Sequence, residues 1–187
     1  MHKILPTGHR VNKFDKKYSK KCPSCDCKDE TWDHVFKCQG QNRKKWLATL
    51  IGEIRTISKK MEANEWISNL LCDYIRNVAE NTNIKTSEHP QRYHFLIDNQ
   101  TRIGYNNILK GMLTNDWRTA QQAHYNHAQH SVINNGATWT SKMIALILTQ
   151  AKSAWTIRND ARHGNDTLTK EIANYEQAKA EPTIIYQ

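Results

Sequence analysis

The sequence predicts a mainly α protein, in which a small cysteine-containing N-terminal module is followed by an irregular helical bundle. Beyond residue 40, apolar residues recur at helical spacing, and the alternation of apolar and polar residues that strands require is weak throughout. A length of 187 residues suits one domain with a small module. Hydrophobic residues make up 38% of the chain, including six tryptophans, which argues against a fully disordered protein.

The pattern divides the chain into three parts. Residues 1–21 are basic and aperiodic and are expected to form an extended arm, and residues 22–40 form the module, which Gly40 ends. Residues 41–187 form the bundle. Its first helix, over 41–61, has an apolar stripe made of Trp46, Leu47, Leu50, Ile51, Ile54, Ile57 and Met61. Its second helix begins after the N-cap Asn64 and buries Trp66, Ile67, Leu70, Leu71, Tyr74, Ile75 and Val78.

The remaining elements follow from turn residues and caps. Residues 81–92 are polar, contain Pro90 and indicate a loop, whereas residues 93–113 indicate short helical pieces broken near Gly104 and Gly111. A helix capped by Asn115 is expected over 115–130, and Asn134, Asn135 and Gly136 indicate a turn. The last two predicted helices are the strongest one, from Thr140 to His163 with Gly164 as its stop, and a weak one over 166–180 before Pro182.

The positive charge is concentrated in the first third of the chain. The net charge is +9, and residues 1–60 carry 15 Lys+Arg against 6 Asp+Glu, so the whole excess lies there. Such a block is typical of a surface that binds a polyanion, most often nucleic acid. A solvated, solubilising arm is the alternative. The longest apolar stretch, 143–148, is too short to span a bilayer, and the start lacks an apolar signal sequence, so an intracellular protein (nucleus or cytoplasm), not secreted and without membrane partners, is expected.

Four potential metal ligands lie within seventeen residues, in the pattern Cys22-x2-Cys25-x8-His34-x3-Cys38. A two-residue gap lets a tight turn present two sulfurs to one ion, and a three-residue gap brings two side chains to the same side of a helix. Three thiolates and one imidazole complete a tetrahedral shell, which is typical of one structural Zn²⁺. Cys27 could replace Cys25 as a ligand, although the 22/25 gap fits better. Cys72 is expected to be a small buried apolar residue.

These residues resemble the zinc-binding segment that follows the polymerase in reverse-transcriptase-like proteins of non-LTR retroelements. In that family a Cys-x2-Cys turn precedes an acidic–Thr pair, here Glu30-Thr31, and then a histidine, two apolar residues and a closing cysteine. The stretches RIGYNNILKGMLTNDW (102–117) and AWTIRNDARHG (154–164) are also similar to such proteins. The resemblance implies a C-terminal, zinc-binding region that helps to hold template nucleic acid. The chain contains no Tyr-x-Asp-Asp polymerase motif, so reverse transcription by this chain alone is not expected.

The function expected from the sequence is therefore zinc-dependent binding of RNA or single-stranded DNA, and catalysis is not favoured. The lysines would neutralise phosphates, and Trp32 would either stack on a base or pack the module against the first helix of the bundle. Tyr18 is a weaker stacking candidate. The residues predicted to bind nucleic acid are Lys13, Lys16, Lys17, Lys20, Lys21, Trp32, Arg43, Lys44 and Lys45.

Two other functions remain open. Arg158-Asn159-x3-His163 resembles the Arg-x4-His signature of HEPN-type ribonucleases, in which the histidine acts as acid or base and the arginine stabilises charge on the phosphate. A structural role at the end of a helix is favoured for this pair. A zinc-stapled module that binds another protein is the second alternative.

Two further clusters have simpler interpretations. His124, His127 and His130 follow one another at helical spacing, but nothing completes a metal shell, so a solvent-facing helix surface is expected. The other tryptophans fall on apolar stripes and are expected in the core, namely Trp46, Trp66, Trp117, Trp139 and Trp155.

Overall fold

The computed structural model describes residues 6–25, 27–127, 134–164, 171, 172 and 175, and within these residues the chain is helical without strands. This confirms the predicted fold class. The α-helices in the described part of the chain are α1 (Gly8–Phe14), α2 (Trp32–Lys37), α3 (Gln41–Lys60), α4 (Glu65–Glu80), α5 (His94–Arg102), α6 (Asn115–His127) and α7 (Gly136–His163). Short 3-10 turns cover Thr86–Glu88, Gln91–Tyr93 and Tyr105–Lys110.

Helix α7 is the central helix of the structure and packs against α2, α3 and α6. Helix α4 packs against α3. One continuous core contains large side chains from several helices, including Trp46 on α3, Tyr74 on α4, Trp117 on α6 and Trp139 on α7. Two of the buried indole N–H groups are satisfied within this core: Trp117 donates to Gln100 Oε1 (3.0 Å) and Trp139 to Ser58 Oγ (3.1 Å).

Most predicted boundaries are confirmed because local signals set them. Asn64 caps α4 by accepting a hydrogen bond from the Ile67 N–H (3.2 Å). Gly104 and Gly111 interrupt the helices with φ values of 111° and 76°, which residues with a side chain rarely adopt. Gly164 ends α7 as expected. The predicted helix over 166–180 lies outside the described residues, except that residues 171, 172 and 175 are helical.

Helix α7 begins at Gly136 and not at Thr140, because the predicted turn is its N-cap. The side chain of Asn135 accepts a hydrogen bond from the Thr138 N–H (2.8 Å). Gly136 lies so close to α6 that a Cβ atom there would be 2.2 Å from the carbonyl oxygen of Arg118. The start of α7 is therefore fixed by its contact with α6, which the sequence pattern does not record.

Two predictions about packing were wrong in part. Trp66 is 51% exposed, since the buried face of α4 runs through Ile67, Leu70 and Leu71 and leaves the first turn at its edge. Trp155 is only half-buried.

The segment predicted to be an extended arm contains helix α1, which is attached to the module: the Gly8 N–H donates to Glu30 Oε2 (2.7 Å) and the His9 N–H to the Glu30 carbonyl (3.1 Å).

Candidate metal centre and basic surface

The ligand atoms of the four predicted residues form one cluster. The Sγ atoms of Cys22, Cys25 and Cys38 and a ring nitrogen of His34 all lie within 4.8 Å of one another, which confirms the predicted cluster. The Cys22 and Cys38 sulfurs are 3.7 Å apart, and Cys25 Sγ is 3.4 Å from His34 Nε2. A tetrahedral ion with bonds of about 2.3 Å to sulfur and 2.0 Å to nitrogen requires separations of about 3.8 and 3.6 Å. The donor atoms are therefore spaced to bind one tetrahedral metal ion.

The backbone around the cluster holds the sulfurs in place. The Ser24 N–H points at Cys22 Sγ and the Gly40 N–H at Cys38 Sγ, each at 3.4 Å, and such N–H···S contacts stabilise thiolate charge. The Thr31 side chain caps α2 by accepting a hydrogen bond from the His34 N–H (3.2 Å). This bond fixes the helical turn that carries His34. A Cβ atom at Gly40 would lie 2.7 Å from the Ser24 carbonyl, which explains the need for glycine between the two ligand loops.

The sulfur atoms of Cys22 and Cys38 are within hydrogen-bond distance of each other. This hydrogen bond and burial together raise the pKa of Cys22 to about 11. The same hydrogen bond lowers the pKa of Cys38, with a further contribution from the Gly40 N–H. An incoming cation must therefore displace the proton of Cys22.

The third sulfur of the cluster is that of Cys25 and not that of Cys27. Cys27 Sγ points at the Asp29 carbonyl oxygen (3.5 Å) and lies outside the cluster, while its backbone carbonyl accepts from the Cys22 N–H (3.0 Å) and closes the turn. Cys72 is fully buried in the core, as predicted, and burial raises its pKa to about 11. The choice left open between Cys25 and Cys27 is thereby decided by geometry.

A buried carboxylate attaches the module to the end of the bundle. Glu30 is fully buried and accepts hydrogen bonds from Arg158 Nη2 (2.6 Å) and Nε (2.8 Å), Arg162 Nη2 (3.2 Å) and the Gly8 N–H (2.7 Å). Burial alone would raise the pKa of Glu30, but the hydrogen bonds and charges of Arg158, Gly8 and Arg162 outweigh it and the pKa is lowered. Glu30 therefore stays ionised and joins α1, the module and α7.

This contact defines the role of Arg158. Its side chain is 3% exposed, and Nε, Nη1 and Nη2 all donate within the protein, to Glu30 and to Asn159. The guanidinium group is therefore committed to an internal ion pair with Glu30. The structural interpretation of the Arg158/His163 pair is thus supported, and the use of Arg158 in a HEPN-like site is not. His163 is half-buried and lines a shallow cavity beside Tyr18 and Trp155.

The predicted nucleic-acid-binding residues separate into exposed and buried groups. The exposed ones are Lys13, Lys16, Lys17, Lys20, Lys21, Lys44 and Lys45. Arg43 is only 7% exposed and donates from Nη2 to the Ala154 carbonyl (2.9 Å), which anchors α3 to α7. Trp32 is also 7% exposed and packs edge-on against Phe36 and beside Trp155. The prediction is therefore corrected for these two residues, because neither side chain is accessible to phosphate or to a base.

The lysine-bearing segment between α1 and the module has a defined conformation. Arg162 Nη2 donates to the Lys21 carbonyl (2.6 Å), and the Glu30 N–H donates to the Lys20 carbonyl (2.8 Å). Tyr18 lies beneath the Arg162 guanidinium, 5.1 Å from ring centroid to Cζ. Residue spacing contains no signal for the role of Arg162, and Glu30 stands out in the sequence only as part of the acidic–Thr pair.

The histidine cluster on α6 has structural contacts in its described part. His124 Nε2 lies 3.1 Å from the Glu62 carbonyl oxygen, and Nδ1 lies 3.4 Å from Asn64 Nδ2, so both ring nitrogens face polar partners. His127 is exposed, and His130 lies outside the described residues. Within the described part of the chain, the only group of three or more potential ligands close enough to hold an ion is the Cys3His cluster.

Because folding lowers the pKa of Glu30, the free energy of unfolding is expected to decrease at acidic pH. Because the folded-state pKa lies below the ordinary value of 4.5, the contribution of Glu30 is complete above pH 4.5 and is lost as pH falls through the lower folded value. We expect the difference in free energy of unfolding between wild type and Glu30→Gln to be constant from pH 7 to 5 and to shrink below pH 4.5. Urea unfolding followed by circular dichroism measures it, and subtracting the variant removes the effect of acid on the metal site. A difference in free energy of unfolding that stays constant down to pH 3 would show that folding does not lower the pKa of Glu30.

Comparison with protein-family models, with curated protein sequences and with solved structures finds no match to this chain. None of the described helices combines the length and apolar character needed to cross a membrane.

Proposed function

We propose that this protein is a zinc-stapled module that binds RNA or single-stranded DNA. The observation that carries the proposal is that five exposed lysines, all between residues 13 and 21, lie on a backbone fixed by Glu30 and Arg162 to the metal centre and to α7. A solvated tail would not need such anchoring. Ordered lysines next to one another form a surface of positive potential, which attracts the phosphate backbone of nucleic acids.

Zinc is the proposed ion because of its donor set. Three sulfurs and one imidazole nitrogen at tetrahedral spacing suit Zn²⁺, whereas Mg²⁺ and Ca²⁺ take oxygen ligands. Four protein ligands would leave no open position for water, so the site would be structural. The resemblance to the zinc-binding segment of non-LTR reverse-transcriptase-like proteins points the same way, and it makes nucleic acid the expected partner.

The role of the ion would be to fix the base of the lysine-bearing segment. The Cys22 N–H bonds to the Cys27 carbonyl, and Cys22 follows directly after Lys20 and Lys21. Closing the Cys22–Cys38 cluster would therefore fix the end of the basic segment, residues 13–21, relative to the start of α3, where Lys44 and Lys45 are exposed. These two lysines would add to the positive charge available to a nucleic acid.

The expected result is a binding constant that falls steeply with salt. Fluorescence anisotropy of a labelled single-stranded RNA, titrated with protein at several KCl concentrations, measures it. The triple variant Lys13→Gln/Lys16→Gln/Lys17→Gln should bind more weakly, and the slope of log K against log [KCl] should lose about 0.7 for each phosphate contact removed, or about 2 in all.

A matched control uses three exposed lysines elsewhere. Lys85, Lys142 and Lys152 are exposed and distant in sequence from the basic segment, and replacing all three by glutamine removes the same net charge. This control should keep the slope of the wild type. Equal weakening in both triple variants would mean that total charge and not this surface attracts the nucleic acid. Absence of salt-sensitive binding in the wild type would reject the proposal and favour a protein-binding module.

A further inference from the structure

The basic segment contains one exposed phenyl ring, that of Phe14. Phe14, the last residue of α1, is 84% exposed, more than any other large hydrophobic residue in the described part of the chain. Exposing a phenyl ring forgoes the burial that ordinarily stabilises it, by about 2 kcal/mol. A side chain left in this position is available to a partner.

The backbone that carries Phe14 is well defined. The Asp15 N–H donates to the Val11 carbonyl (2.9 Å) and closes the helix. Asn12 Nδ2 donates to the Tyr18 carbonyl (2.7 Å) and the Lys16 carbonyl (3.3 Å), so the chain turns back directly after the ring. A partner that binds here would not have to order the backbone first, which lowers the entropic cost of binding.

The charge around the ring is positive. Lys13, Lys16 and Lys17 are exposed on the same helix end and turn, and Asp15 is the one acidic residue among them. The Asp15 carboxylate accepts the Lys17 backbone N–H (2.9 Å), so it also stabilises the turn. An exposed apolar ring with three exposed lysines within three residues of it in the chain matches a ligand that offers a flat aromatic surface beside negative charges.

We propose that Phe14 is a stacking platform for an unpaired base, which makes the basic segment specific for single-stranded nucleic acid. The inference deepens the proposed function and rests on it. Lysines alone attract the phosphates of single and double strands alike, whereas stacking on a side chain needs a base that is free of its own stack. Phe14 thus takes the role that Trp32, being buried, cannot fill.

Insertion of Phe14 into a membrane surface is less well supported. A helix that lies in a bilayer surface buries a continuous apolar face. Helix α1 has seven residues, and Phe14 is its only exposed large apolar side chain, so a single ring would carry the whole attachment. Membrane binding is therefore treated as an outcome of the test.

The test compares Phe14→Ala and Phe14→Leu with Phe95→Ala, since Phe95 on α5 is also exposed (42%) but lies outside the basic segment. The probes are a labelled 12-nucleotide RNA of mixed sequence, the same sequence as DNA, and the blunt DNA duplex. Stacking of one base contributes about 1–3 kcal/mol, so both Phe14 variants should raise Kd for the single strands by about 5- to 100-fold. Leucine keeps the apolar character without the aromatic face. The salt slope, the duplex affinity and the affinity of Phe95→Ala should be unchanged.

The other outcomes overturn the inference in distinguishable ways. If the lysine triple variant loses binding while Phe14→Ala binds single strands like the wild type, stacking is wrong and the proposed function stands. If the wild type binds no nucleic acid at low salt, both fail. If Phe14→Ala loses binding only to phosphatidylcholine–phosphatidylserine vesicles, the ring is a membrane contact.

Discussion

Replacing Glu30 by glutamine should lower the free energy of unfolding by about 3–5 kcal/mol at pH 7, the usual cost of leaving a buried charge without its counter-charge. Glutamine keeps the shape of the side chain but leaves the guanidinium of Arg158, 3% exposed, without its anion. It also replaces one of the two acceptor oxygens by an NH2 group, so the hydrogen bonds from Gly8, Arg158 and Arg162 cannot all be kept. Urea denaturation followed by circular dichroism measures the change.

Two further variants show that the pair itself is responsible. Glu88→Gln removes the same charge at an exposed site and should change the free energy of unfolding by less than about 1 kcal/mol. The double variant Glu30→Gln/Arg158→Leu should be less destabilised than the sum of its single variants, because both partners of the pair are then absent. Strict additivity would show that Glu30 and Arg158 do not act on each other.

Replacing Cys22 or Cys38 by serine should reduce bound metal from about one ion per chain to almost none, since serine does not replace a thiolate ligand of zinc. Elemental analysis of protein purified without a histidine tag measures this. Residues 6–40 should become open to proteolysis, because site and fold form together in small zinc modules. The sequence alone predicts that the bundle keeps its stability.

The structure changes that last expectation. Trp32 and Phe36 of the module belong to the same core as Trp46 on α3, so loss of the module exposes part of the bundle. The variants should keep most of the far-UV helical signal at low temperature but melt well below the wild type. Cys27→Ser is the matched control, since its sulfur lies outside the cluster, and it should retain the metal and the melting temperature. An unchanged melting temperature in Cys22→Ser would show that module and bundle are independent, and complete loss of helical signal would show that the bundle cannot fold without the metal.

Local signals in the sequence predicted much of the fold. The stripe of α3 and the face of α4 follow from helical periodicity, which depends only on residue spacing. The Asn64 cap and the breaks at Gly104 and Gly111 follow from side-chain and backbone preferences of single residues. Trp66 shows the limit of this reasoning, because a tryptophan at the edge of an apolar stripe is buried only if a neighbouring element covers it.

The candidate site divides in the same way. The four ligands lie within seventeen residues, and their spacing predicted a tetrahedral cluster without knowledge of the rest of the fold. The burial of Arg43 was not predictable, and the sequence left two alternatives for Trp32, since both side chains depend on where α7 lies. The exposure of Phe14 also had no signal in the local pattern.

The sequence by itself determined the helical class, the ligand set and the concentration of positive charge in the first sixty residues. Only the tertiary structure decided that the basic segment is anchored, because its attachment joins Glu30 to Arg158 across 128 residues of chain. Spacing along the chain specifies side chains that meet within one turn or one helix. A buried ion pair between distant segments forms only once the core has excluded water, so no local pattern of residues encodes it.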